Sequence, residues 1–161
     1  MRGSKLRLTL VSVGRLSEPF IQEGCEFFAE RIRRYAALNL IVVPEEKIPS
    51  RGKREYILKQ EGRRIGAKIR PGVFTVAVDE RGKSLSSEAF ARSVEIWSNS
   101  GLKDVVFILG GPYGLDDFLK EKAEFRLSLS SMTLTHGMAK MLLLEQIYRA
   151  FTILKGEPYH K

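Results

Sequence analysis

The chain has 161 residues, 43% of them hydrophobic, enough to bury one core, and a single domain over 1–161 is expected. Its longest apolar run is the five residues Val105 to Leu109, far short of a membrane span, and MRGSKLRLTL lacks the apolar stretch of a signal peptide, so a cytoplasmic protein without a membrane partner is expected. The net charge of +8, from 27 basic and 19 acidic residues, points to a polyanionic partner.

Lys5 to Val13 alternates polar and apolar residues through Leu6, Leu8 and Leu10 and reads as a strand. Pro19 to Leu38 then carries Phe20, Phe27, Phe28, Ile32 and Tyr35 at helical spacing. The lone Cys25 lies on its apolar side, where a packed thiol is expected. Leu40 to Val43 is a short β-branched run stopped by Pro44, and Lys53 to Ile69 is a basic helix with Tyr56, Ile57, Ile65 and Ile69. Val73 to Val78 reads as a buried strand, Ser86 to Ser98 as a Ser-capped helix with Glu88 in its first turn, Val105 to Leu109 as a central strand and Phe125 to Leu129 as a final one. From Met138 to Leu154 only Lys140, Glu145, Gln146, Arg149 and Thr152 are polar. A helix apolar nearly all round must be covered on more than one side, and a partner subunit would supply the second cover. Alternating strands and helices imply an α/β fold with a parallel sheet.

Ligands of such sheets bind beyond the carboxyl ends of the strands. The loops there are Asp79 to Lys83, Gly110 to Asp116 and Ser130 to His136. Gly110 and Gly111 follow the most apolar strand and permit either an unusual backbone or the close approach of a ligand. The loops contain no dinucleotide or Walker fingerprint. With neither paired cysteines nor an H-E-x-x-H helix, and with two histidines in all, no metal is expected. Lys47 to Arg70 holds Lys47, Arg51, Lys53, Arg54, Lys59, Arg63, Arg64, Lys68 and Arg70 against Glu55 and Glu61. This is either an electrostatic footprint for phosphates, with Arg54, Arg63 and Arg64 as the RNA contacts, or a solvated face.

Three segments, FILGGPYGL after the central strand, LSLSSMTLTH, and LLLEQIYRAFTILKGEPYHK, together resemble the RlmH family of SPOUT methyltransferases, and the resemblance covers essentially the whole chain. The family methylates N3 of a pseudouridine in large-subunit (23S) ribosomal RNA with S-adenosylmethionine. It implies a C-terminal trefoil knot, a homodimer packed through the knot helices, and a cofactor held largely by backbone at Val78, Gly110, Leu129, Ser130, Ser131, Met132, Thr133 and Leu134. Two positions depart from the pattern. Thr135 stands where the family usually has Pro, which bears on the rigidity of that loop, and Lys140 where it usually has Arg, which bears on any bidentate contact made there.

N3 of a pseudouridine is a poor nucleophile until its proton leaves, so the reaction needs a base as well as proximity. His160 is the first candidate, as a side chain that titrates near neutrality and that can reach a neighbouring subunit's cofactor pocket, with His136 as its rival. Tyr159 would stack on the base, Arg149 would stabilise negative charge on it, and Lys161 would contact a phosphate. Two other readings stand beside this one: a ribosome- or RNA-binding module without catalysis, and an unrelated α/β enzyme in which the Gly110 loop holds a nucleotide or a small anion.

Overall fold

The computed structural model describes residues 5–47 and 53–161, so Arg51 of the basic run lies outside the described residues. Strands β1 (Arg7–Val13), β2 (Ala37–Val43), β3 (Phe74–Ser84), β4 (Asp104–Leu109) and β5 (Phe125–Ser128) form a parallel sheet in the order β2-β1-β4-β3-β5. The helices are α1 (Pro19–Ile32), α2 (Arg54–Gly66), α3 (Ser87–Asn99), α4 (Asp117–Lys122) and α5 (His136–Leu154).

A parallel sheet is covered on both faces, which is why its strands read as near-continuous apolar runs. Helices α1, α3 and α5 pack over Leu8, Leu10, Val76, Val105, Phe107 and Leu127. On the opposite face α2 and α4 cover Val11, Val13, Ala77, Val106 and Ile108. Strand β4 is central, as its composition predicts. Cys25 is buried among α1 core residues, and that burial pushes its thiol up, so it is the inert packed thiol expected.

The structure corrects the sequence reading in several places. The first helix stops at Ile32, where Arg33, Arg34, Tyr35 and Ala36 turn the chain through bonds to Ala29, Arg31 and Ile32 carbonyls, and β2 begins already at Ala37. Strand β3 does not end at Val78: it runs on to Ser84 beside β5 after a register shift between Val78 and Lys83. Gly82 allows this, because a Cβ there would lie 2.7 Å from the Arg126 carbonyl carbon. Helix α4, only six residues long, has too little periodicity to be read.

Much of the cover of α5 comes from its own chain, while Met138 stays exposed and Met141, Leu142, Ile153 and Leu154 are half-buried. Leu143, Leu144, Ile147 and Ala150 are buried between the sheet, α1 and α3 of the same chain, with Tyr35 stacked on Phe151 at 5.4 Å and Ser87 Oγ donating to Gln146 Oε1 at 2.7 Å. No partner subunit is required to cover those side chains.

Candidate active site

The carboxyl ends of β3, β4 and β5 open on a cleft of about 570 Å³, within the range for small-molecule and cofactor sites. Val78, Leu129, Ser130, Met132, Thr133 and Leu134 all line it, so three segments distant in sequence converge there. The loop after β5 is braced by its own polar atoms: Ser128 Oγ donates to the Ser130 carbonyl at 3.2 Å, and Met132 N–H to Ser130 Oγ at 2.9 Å. Thr135, the departure from the family pattern, accepts a bond from Met138 N–H at 3.3 Å and caps α5.

Gly110 and Ser131 are not among the lining residues. A Cβ at Gly110 would lie 2.1 Å from the Gly114 carbonyl oxygen. The glycine is therefore demanded by the close return of the chain's own backbone. That return is a tight turn closed by Gly114 N–H donating to the Gly111 carbonyl at 2.9 Å, with Gly114 at φ +90°.

Apolar side chains from Val78, Leu109, Leu129 and Leu134 line the cleft together with acidic groups at Glu55, Asp79, Glu80 and Asp117 and basic ones at Arg54, Arg81 and Lys120. Burial raises the Asp79 pKa, but Arg126 at 2.6 Å and Lys120 outweigh it, so the carboxyl stays ionised below its usual range. Arg54 donates to the Tyr113 carbonyl at 3.0 Å and so belongs to the cleft wall as well as to α2. Apolar side chains and carboxylates lining one cleft fit S-adenosylmethionine, which carries an aromatic ring and positive charges. Among the described residues no group of three or more His, Cys, Asp or Glu side chains is placed to hold a metal ion, and no helix is long and apolar enough to cross a membrane.

The residues proposed for chemistry assemble elsewhere. Arg149 is one turn beyond Glu145 on α5, and its Nε donates to Glu145 Oε1 at 2.9 Å. Tyr159 OH donates to the same carboxylate oxygen at 3.0 Å, and the guanidinium lies 4.6 Å over the Tyr159 ring. The Arg149 NH1 group faces His160 Nδ1 at 3.3 Å, and His160 Nε2 faces Glu88 Oε1 at 3.0 Å. Tyr35 OH, donating to Glu157 Oε2 at 2.5 Å, fastens the same segment to the turn that follows α1. Burial first and this bond second push Tyr35 up to about 12. Burial and Glu145 raise Tyr159 likewise.

This network and the cleft are separate. Ala139 lines the cleft, while Arg149 comes ten residues later on α5, about 15 Å along the axis at 1.5 Å per residue. His136, the rival base, opens α5; its Nε2 is buried without a hydrogen-bond partner, and it does not line the cleft. Lys161 is exposed.

Of the basic residues, Arg63 is exposed on α2, whereas Arg64 is half-buried, paired with Glu46 and donating to the Pro44 carbonyl at 3.0 Å. Glu88 and Glu145 were missed as site residues. The i, i+4 spacing of Glu145 and Arg149 is the one local signal for this network, and nothing local ties Glu88 to a histidine 72 positions away.

Known proteins share this sequence and this fold. A family model described as a predicted SPOUT methyltransferase matches residues 6–160. The ribosomal RNA large subunit methyltransferase H of Syntrophotalea carbinolica is 46% identical over 155 residues, spanning 96% of this chain and 99% of that protein. Its counterpart in Carboxydothermus hydrogenoformans is 43% identical over 159 residues, spanning 97% and 100%. Among solved structures, a probable methyltransferase from Bordetella pertussis Tohama I shares the fold at a TM-score of 0.56 and 16% identity, over 93% of this chain and 99% of that one. With a match that runs through both the cleft loops and the Tyr159-His160 network, the chain belongs to the SPOUT methyltransferase family.

Proposed function

We propose that this protein is an S-adenosylmethionine-dependent methyltransferase acting on N3 of a pseudouridine in large-subunit ribosomal RNA, working in the cytoplasm as a knotted homodimer on the ribosome. The observation that carries it is the convergence of three loops on one cleft, in a chain 46% identical to a protein named for methylating that RNA. Bound in the cleft, S-adenosylmethionine supplies a methyl group on a positively charged sulfur, a leaving group that needs no acid.

The chain's own task is to place N3 and remove its proton. Cleft and network lie about 15 Å apart along α5 in one chain. The homodimer supplies the remedy: Tyr159, His160 and Lys161 of one protomer close over the cleft of the other. Arg149 then turns its guanidinium from His160 to a pyrimidine carbonyl, where it stabilises the negative charge that develops as N3 loses its proton. This movement frees Nδ1 of His160 to take that proton. Tyr159 stacks on the base. Exposed Arg63, with Arg54 at the cleft and Lys161, provides phosphate contacts.

Nucleoside mass mapping of large-subunit rRNA from a strain lacking the protein tests the proposal. Loss of a single N3-methylated pseudouridine, restored by the purified protein with S-adenosylmethionine, is expected. An unchanged map would overturn it. Calorimetry separates the enzyme from a non-catalytic RNA-binding module: micromolar binding of S-adenosylhomocysteine, uncontested by ATP, is expected of the enzyme alone.

A further inference from the structure

We propose that Glu88 is a positioning residue for the methyl transfer: its hydrogen bond to His160 Nε2 aims Nδ1 of that ring at the proton to be removed. This rests on the assignment of His160 as the base.

The geometry leaves one consistent arrangement. A guanidinium N–H only donates, so His160 Nδ1, 3.3 Å from Arg149 NH1, must present its lone pair. The ring proton of a neutral His160 is then on Nε2, 3.0 Å from Glu88 Oε1, a carboxylate oxygen that only accepts. The other neutral tautomer would set Nδ1–H against the guanidinium and the Nε2 lone pair against the carboxylate, which opposes both contacts, and turning the ring over would face carbon atoms to both partners. The groups facing the ring are Glu88 from α3 and Arg149 from α5, with Glu145 and Tyr159 behind the guanidinium.

Glu88 is well placed to hold this role after Arg149 has left. It stands in the first turn of α3, where Ser86 caps the helix by accepting from Ala89 N–H at 3.1 Å. Its own backbone N–H, the His160 bond and Ser86 all hold its carboxyl below the usual range, and the helix N-terminus favours the charge. α3 is itself tied to α5 through Ser87 and Gln146. When Arg149 moves to the substrate, the Glu88 bond is the polar contact that still fixes the imidazole. The arrangement parallels the general pattern in which a base is oriented by a third group.

Glu88→Ala, Glu88→Gln and His160→Ala decide the matter in single-turnover methylation and in nitrogen-15 NMR of labelled histidine, which reports only two rings. Glu88→Ala is expected to lower kcat roughly 10- to 100-fold, the cost of a misaimed reacting group, with KM for ribosomes and cofactor affinity unchanged, and to abolish the hydrogen-bonded Nε2–H signal of His160. Glu88→Gln keeps an accepting oxygen and should restore both. Wild-type kcat in Glu88→Ala, or a Glu88→Gln variant as impaired as Glu88→Ala, would overturn the proposal. Full activity in His160→Ala would instead sink the assignment of the base, whatever the NMR shows.

Discussion

The cleft and the Tyr159-His160 network are built on different plans. The cleft is framed by three loops and lined by apolar and charged side chains, with its wall held by a Gly-Gly-Pro turn and serine hydroxyls. The network is made of long side chains that saturate one another, Glu88 to His160 to Arg149 to Glu145 to Tyr159. A site with a braced frame suits a ligand that is always the same. A network whose members can exchange partners suits a step in which charge appears and a proton moves. The contrast also separates the expected consequences of mutation, since damage to the cleft should be read in binding and damage to the network in turnover.

The largest effect is expected in the network. His160→Ala should slow single-turnover methylation about a hundredfold or more, within the usual range for a positioned base, while calorimetry finds cofactor affinity unchanged. Loss of affinity in that variant would mean that the two regions are not separable.

Next in size is Gly110→Val. A Cβ lying 2.1 Å from the Gly114 carbonyl forces the turn to move, so cofactor affinity should fall about tenfold or more and Tm should drop by several degrees, as for other strained backbone sites. Ser131→Ala, at a neighbour outside the lining, should change neither. Equal losses in the two variants would remove the distinction between turn and surface.

How far the sequence carried these assignments varied with the range of the contact. Strand β4 and helix α5 were legible because their signals, a β-branched run and a helical apolar pattern, are local. The extension of β3 through Asp79–Ser84 was not, because a polar stretch becomes a strand there only by pairing with β5. Gly110 fits either an unusual backbone or the close approach of a ligand by sequence alone, and only the fold shows its nearest neighbour to be the carbonyl of Gly114, on the far side of a turn. Residues 156–161 carried recognisable chemistry, but its anchor in α3 came from a pairing that no spacing rule reaches.

Smaller effects should follow from the basic helix. Reversing Arg63 together with Lys59 to Glu should weaken ribosome binding several-fold and flatten its salt dependence, since phosphate contacts act through counterion release. Arg64→Glu is the contrast: it sets a carboxylate against Glu46 and should register first as lost stability. Salt titrations with thermal melts would separate them, and identical salt slopes in wild type and the Arg63 variant would reduce the cluster to a solvated face.

The smallest effect belongs to Glu61, which lies under the turn at Gly111. It is 2% exposed, accepts Glu46 N–H at 3.1 Å and leaves Oε2 without a partner. Burial pushes its carboxyl up, so the stability it confers when protonated is lost as pH rises past the ordinary carboxylate range. Glu61→Gln should therefore melt slightly higher than wild type at pH 7, and the gain should vanish below about pH 4, where Glu61 is protonated in both states. A gain that grows as pH falls would contradict the buried-carboxyl account.

The central claim is that the network of one protomer completes the cleft of the other, and subunit mixing tests it most directly. Gly110→Val and His160→Ala are combined under conditions that exchange subunits, at a cofactor concentration that saturates an intact cleft but not the Gly110→Val cleft, so that each is slow alone. A mixed dimer pairs one intact cleft with one intact His160 from the opposite chain, so activity should return to about a quarter of wild type. That figure follows if half the dimers are mixed and each has one working site of two, as expected for a symmetric dimer. A mixture no more active than the sum of its parts would place cleft and base in the same chain and contradict the account.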